Sequence, residues 1–236
     1  MNRTSIALGA VLAALALTSC GGPSSAERKA EAARLADARQ RVAALESRIA
    51  AAKSDEETVE ALRSILAVQA MELDENAAAI DRFQKNEALL ADDRMARIYL
   101  AVAQSKMAGE AKKIEDKLSW LRKGMASFEA LREEWPDDEL VFLYQASTYA
   151  SFPSEVGAKA EVLDLLAEIR DRYASGAWTV SRGAVSQLAW VFVALRKNYP
   201  DEDSRAEIDA VEDGFRAAFP PYEAAAREKA AEADRG

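Results

Sequence analysis

Cys20 is the only cysteine in a chain of 236 residues that contains no histidine. A solitary thiol has no partner for an intrachain disulfide. Without histidine there is no His-based triad, no thiol–imidazole pair and none of the usual zinc, copper or haem ligand sets. Chemistry is left to carboxylates, Lys, Tyr and Ser. The densest carboxylates stand in three runs, Asp55-Glu56-Glu57, Asp137-Asp138-Glu139 and Asp201-Glu202-Asp203. Each precedes an apolar helical pattern, where negative charge is favoured by the helix dipole. None shows the alternating Asp/Asn with a central Gly of a calcium loop, and there is no Gly-rich phosphate loop. No catalytic, cofactor-binding or metal-ligating residue is assigned on these grounds.

The surroundings of Cys20 are more specific. Met1-Asn2-Arg3 carries one positive charge, and an apolar run from Ile6 to Leu17, broken only by Gly9, follows it. This is the pattern of a secretory signal and is too short for a stable membrane span. It leads into Leu17-Thr18-Ser19-Cys20, which resembles the lipobox of bacterial lipoproteins. The resemblance implies removal of residues 1–19, diacylglyceration of the Cys20 thiol and acylation of the new amine. It also implies a lipid-anchored envelope protein. Because Gly21 is not Asp, the same resemblance favours the periplasmic side of the outer membrane. Residues 20–25 would then be the lipidated cysteine and a flexible Gly-Gly-Pro-Ser-Ser tether. Several acyl chains, at about 0.8 kcal/mol per buried methylene, hold a protein on a bilayer almost permanently. The chain has net charge −9, and Arg3 is the only charged residue in the first nineteen. Such acidity argues against nucleic acid and against electrostatic attraction to anionic lipid, so membrane binding falls to the anchor.

The rest of the chain reads as all-α. Gly and Pro are scarce, at 10 and 6 residues, while helix formers abound. Ser24-x-x-Glu27 and Ser54-x-x-Glu57 have capping-box spacing and bound a helical hairpin over residues 26–75. In its first arm Leu35, Val42 and Ile49 fall seven residues apart, with Ala38, Leu45 and Ala52 at the matching second positions. That seam suits either one arm of the hairpin or a self-associating stalk. In the second arm Val59, Leu62, Ile65, Leu66, Gln69 and Leu73 share a face, and Asp74-Glu75-Asn76 interrupts it. Helical stripes then follow over residues 76–219. They are Ile80, Phe83 and Leu89; Met95, Ile98, Tyr99 and Val102; and Ile114, Leu118, Leu121, Met125, Phe128 and Leu131. Leu140, Val141, Leu143 and Tyr144 come next, behind an Asp137 cap. Val162, Leu165, Leu166, Ile169 and Tyr173 sit on a helix opened by Ser154. The last two stripes are Val185, Leu188, Phe192, Leu195 and Tyr199, then Ile208, Val211, Phe215 and Phe219. Residues 220–236 form a polar tail expected to fray.

Part of this region repeats. Phe128, Ala130, Leu131, Arg132, Trp135, Pro136 and Asp137 recur as Phe192, Ala194, Leu195, Arg196, Tyr199, Pro200 and Asp201. A fainter copy sets Phe83 opposite Phe128 and Tyr99 opposite Tyr144. Phe, a residue three later and Pro five after that resemble the close of a tetratricopeptide repeat, and Phe142, Ala146 and Tyr149 resemble its first helix. Leu131 and Leu195 stand where that family has a small residue. The copies are 64 and 45 residues apart rather than the family's 34. The resemblance implies an antiparallel helix-hairpin solenoid that works as a scaffold or adaptor, holding a partner protein or peptide in its groove. Trp178, Tyr99, Tyr144 and Tyr149, with Arg97 and Arg182, are candidates for that surface, since aromatics and Arg dominate binding hot spots. Trp178 stands out because it lies beside the Ser175-Gly176 turn and off the apolar stripe. Two other readings remain open. One is an auxiliary small-ligand-binding component of a periplasmic transport system, which needs an internal cavity. The other is a cell-wall-modifying enzyme with a Glu general acid, which needs a buried, perturbed carboxylate. Glu46-Ser47, the dipeptide that the helical lytic transglycosylases bring to mind, lies on the Ala-rich first helix. Partner and oligomeric state are not legible.

Overall fold

The computed structural model describes residues 24–179, 181–219 and 222. The lipobox-like Leu17-Thr18-Ser19-Cys20 and the tail beyond Tyr222 lie outside these. Among the described residues there are ten α-helices and no strand. They are α1 (Ser25–Ala51), α2 (Asp55–Met71), α3 (Asn76–Lys85), α4 (Glu87–Leu90) and α5 (Arg94–Glu110), then α6 (Ile114–Glu134), α7 (Glu139–Ala150), α8 (Lys159–Ala174), α9 (Arg182–Asn198) and α10 (Glu202–Ala218). None of these helices is long and apolar enough to cross a membrane. The chain divides into two compact units, with the boundary between Asp137 and Asp138.

In the unit that ends at Asp137, α1 lies along α2, α2 packs on α3 and α5, and α5 pairs with α6. Leu62, Leu66, Ala70, Ile80, Phe83, Leu90 and Ala103 form the core, with Ile49 and Trp120 packed at its edge. The hairpin over α1 and α2 therefore does not stand apart, because α2 supplies the centre of this core. Of the heptad seam on α1 only Ala38 is fully buried, whereas Leu35, Val42, Leu45 and Ile49 are half-covered. Arg41–Glu72, Arg39–Glu75, Arg48–Glu60 and Glu46–Arg82 ion pairs line the edges of this helix.

Helices α5 and α6 approach one another closely at Gly124. A methyl group added at Gly124 would stand 2.1 Å from Ser105 Oγ and 2.9 Å from its Cα. Glycine inside a helix costs about 1 kcal/mol relative to alanine, and here it lets two backbones meet. The sequence-predicted stripe of α6 is only half buried. Phe128 and Leu131 are in the core, but Ile114 is 61% and Leu118 44% exposed.

In the unit that begins at Asp138, α7 packs on α8 and α9, and α10 packs on both of those. Nearly every side chain of α7 is buried. Its carbonyls are reached by α9, as Gln187 Nε2 donates to Leu143 O at 3.0 Å and Asn198 Nδ2 donates to Ala150 O at 2.8 Å. Burying an amide is tolerable only when its donors find such partners.

The helix ends follow local chemistry. Ser24 and Glu27 form the full capping box, whereas at α2 Ser54 caps and Glu57 reaches back to Lys53 N instead. Asp93 and Asp201 cap α5 and α10. Two expectations are corrected here. Asp138, not Asp137, caps α7, accepting from Leu140 N and Val141 N. Ser154 opens only a single 3-10 turn, and α8 starts at Lys159 after Gly157 turns the chain at φ 75°. The helix expected to reach Leu90 also breaks at Asn86, whose Nδ2 turns back to Arg82 O. The two copies of the aromatic-Pro motif do share geometry. Trp135 and Tyr199 leave their helices at φ −125° with ψ 67° and 74°, and Phe219, also before a proline, leaves at φ −135° and ψ 89°. A residue preceding proline is driven from the helical region to an extended one.

Gly124→Ala should destabilise the protein by about 2 kcal/mol through overpacking. Adding Ser105→Gly, which vacates the space, should recover part of that loss. Urea unfolding of the two variants checks both.

Candidate functional site

Trp178 lies in the loop between α8 and α9, and the loop's backbone sets its position. The α8 carbonyls are closed off by Ser175 N to Asp171 O at 2.9 Å and Gly176 N to Tyr173 O at 3.1 Å. Gly176 then takes φ 76°, a left-handed turn that glycine adopts without strain. Trp178 N turns back to Arg172 O at 3.3 Å. The indole consequently lands beside α8 rather than in solvent, half-buried.

Three side chains fix the ring. Phe142 of α7 meets it edge-on at 5.3 Å between centroids, and Tyr173 of α8 does so at 5.7 Å. The Arg172 guanidinium stands 4.9 Å from the Trp178 ring and 4.5 Å from that of Phe142, so one cation touches two aromatic faces. Glu168, one turn earlier, accepts from Arg172 Nη2 at 2.7 Å and steers it. Tyr173 also packs on Phe219 and donates its hydroxyl to Glu139 Oε1. Burial, reinforced by the Glu139 carboxylate, raises the Tyr173 phenol well above the ordinary tyrosine value. The cluster is thus a rigid platform with a partly exposed indole. Its charged groups are engaged with one another, and it offers contact area and a cation–aromatic edge rather than an acid, a base or a nucleophile.

The other candidates do not join it. Tyr144 and Tyr149 are 2% and 0% exposed, so they belong to the core and not to a binding surface. A helix covered on nearly all sides has no outward position for them. Tyr99 is half-buried against the core of the first unit. Arg97 lies over the Trp135 ring at 4.8 Å and pairs with Glu134. Arg182 begins α9, and its side chain falls outside the described residues. Trp135 also lines an open recess of about 320 Å³ with Arg63, Asp92, Asp93, Arg94 and Met95. Both oxygens of Asp93 are occupied there, one by Arg63 at 3.1 Å and one by the Ala96 amide at 2.8 Å.

Sequence reasoning missed Arg172 and Phe142, because their meeting with Trp178 depends on the loop folding back. The one signal for it in the sequence, not used above, is the i,i+4 spacing of Glu168 and Arg172. It also missed Glu212, which is 2% exposed. Glu212 Oε1 accepts from the Tyr222 hydroxyl at 2.8 Å, and Oε2 faces Arg196 and Arg216. Both oxygens are held. The Tyr222 ring packs on Phe192 and Phe215. Among the described residues no group of three or more carboxylates is gathered as a metal ion requires. No protein-family model, no curated protein and no solved structure matches the chain.

Burial first, and the neighbouring carboxylate second, raise the phenols of Tyr173 and Tyr222 above their ordinary value of 10.0. The folded state therefore holds these protons more tightly than the unfolded chain. The stability they contribute is complete below about pH 10 and is lost as pH rises beyond it. The urea midpoint of the wild type should fall steeply above pH 10. Tyr222→Phe should cost about 2 kcal/mol at neutral pH, by leaving a buried carboxylate oxygen unpaired, and should show a shallower alkaline decline.

Proposed function

We propose that this protein is a lipid-anchored bacterial envelope protein, held at the periplasmic face of the outer membrane through Cys20. Its helical body acts as a scaffold or adaptor for a partner protein or peptide. The anchor rests on the signal-like residues 1–19 and on Leu17-Thr18-Ser19-Cys20. The kinship with tetratricopeptide-like helix pairs is supported by the matching extended ends at Trp135 and Tyr199 and by the burial of Phe128 and Phe192.

The observation that carries the binding role is the Trp178 platform. A partner gains most from a side chain that is large, amphipathic and already ordered, because little rotamer freedom is lost on contact. Trp178 meets all three conditions. Its ring is clamped by Phe142, Tyr173 and Arg172 while part of it stays accessible. The partner surface that suits it is apolar or carboxylate-bearing, so that it covers the indole and approaches the Arg172 edge.

Membrane-fraction localisation should be lost in Cys20→Ala, and the mature protein should begin at Cys20. A soluble wild type would remove the anchor from this reading. Trp178→Ala should keep the helical circular dichroism yet lose the dominant species cross-linked to the protein in its native envelope. An unchanged cross-link pattern would place the binding face elsewhere.

A further inference from the structure

The apolar stripe on α6 is longer than the neighbouring helix covers. Gly124, Phe128 and Leu131 turn toward α5 and are buried. Ile114, Leu118, Leu121 and Met125 are spaced four, three and four residues apart, and so share one face. At about 100° per residue that face is turned by roughly a quarter turn from Gly124. Ile114 and Leu118 are exposed, and Leu121 and Met125 are half-covered. The start of this ridge, Ile114 and Leu118, is left uncovered by the fold of this unit, and Leu121 and Met125 continue it with a smaller accessible edge.

The charges beside the ridge indicate what covers it. Its inner flank is closed by α5. On the outer flank stand Glu115 and Arg122, both exposed and seven residues apart, which is two helical turns. When two identical helices pair antiparallel about a two-fold axis, each flank meets its own copy, and residue i faces j while j faces i. Placing the axis between Leu118 and Leu121 lays Leu118 against Leu121 of the second copy and Ile114 against its Met125. The same register brings each Glu115 within side-chain reach of the second copy's Arg122. Apolar spacing and charge order thus select one register and one occupant. We propose that α6 is a homodimerisation face, on which a second copy of this chain docks antiparallel along Ile114, Leu118, Leu121 and Met125. A single helix face is far smaller than the roughly 1,600 Å² of a standard interface, so the association is weak and concentration-dependent. This inference is independent of the anchor and of Trp178.

The test is sedimentation velocity of the intact protein in non-ionic detergent, from low to high micromolar concentration. The wild type should shift from one to two protein copies. Glu115→Arg and Arg122→Glu, both at exposed positions, should each weaken dimerisation by about tenfold, since each replaces two attractive pairs by two repulsive ones. The double variant should return to within about twofold of the wild type, which no effect on folding would produce. In a Cys20→Ser background, Leu118→Cys should oxidise to a covalent dimer, whereas Ala126→Cys, on the outer side of the helix, should not. A monomer at every concentration would overturn the proposal. So would failure of the charge swap to restore pairing, equal cross-linking of the two cysteine variants, or a ridge that engages only a different protein.

Discussion

A helix in an all-helical body can hide only as much apolar stripe as its neighbours cover. No sheet is available among the described residues to absorb the remainder. In the unit ending at Asp137 this constraint separates the central helices from the marginal ones. Helices α2 and α5 each have several neighbours and contribute most of the core. Helix α1 rests mainly on α2 and carries mostly alanine and charge, so its demand for cover is small and its edges are finished by ion pairs. Helix α6 rests mainly on α5 but carries a full amphipathic stripe. Supply and demand match on α1 and do not match on α6. The mismatch is concentrated at Ile114 and Leu118, which stay 61% and 44% exposed.

The second constraint is the polar backbone left at each helix end. Ten α-helices among the described residues leave many ends whose backbone groups need partners. Six of the ten described α-helices have a side-chain N-cap, from Ser24, Ser54, Asp93, Asp138, Ser181 and Asp201, whereas α3, α4, α6 and α8 have none. At the C-termini of α6, α9 and α10 an aromatic residue before proline turns extended while its N–H still bonds back into the helix. This arrangement stops the helix and leaves the aromatic side chain against the core. The three acidic runs are therefore explained by capping and by the helix dipole.

Helix type and most inward faces are legible because they follow from periodicities that tertiary contacts do not override, with the first half of the α6 stripe the exception. All five predicted inward residues of α8 and all five of α9 are buried. Boundaries were less legible where competing caps lie side by side. Asp137 and Asp138 are chemically equivalent, and only the backbone approaching α7 decides between them. Ser154 has the right chemistry for a helix start, but Gly157 turns the chain before a helix can continue. A hairpin over residues 26–75 looks self-sufficient in sequence, whereas α2 packs on α3 and α5 as well as on α1. The site was the least legible part. Tyr144 and Tyr149 are aromatic like Trp178, but the unbroken apolar run from Leu140 to Tyr144 is the sign of a helix covered on nearly all sides. Trp178 was distinguishable only because it lies off any stripe.

That distinction also explains why Trp178 is ordered at all. A tryptophan in a loop ordinarily samples many rotamers, and ordering it on binding costs part of the contact energy. Here a left-handed glycine, one backbone hydrogen bond and a guanidinium shared between two rings restrict where the indole can lie. Each of these is local to α7, α8 and the loop that follows. The aromatic contact and the α6 ridge consequently rest on different physics. One is an indole packed by aromatic and cation–aromatic contacts, and the other is apolar surface that the neighbouring helix leaves uncovered. Neither surface needs the other to be formed, since the first is built from α7, α8 and the loop after α8 and the second from α6 alone.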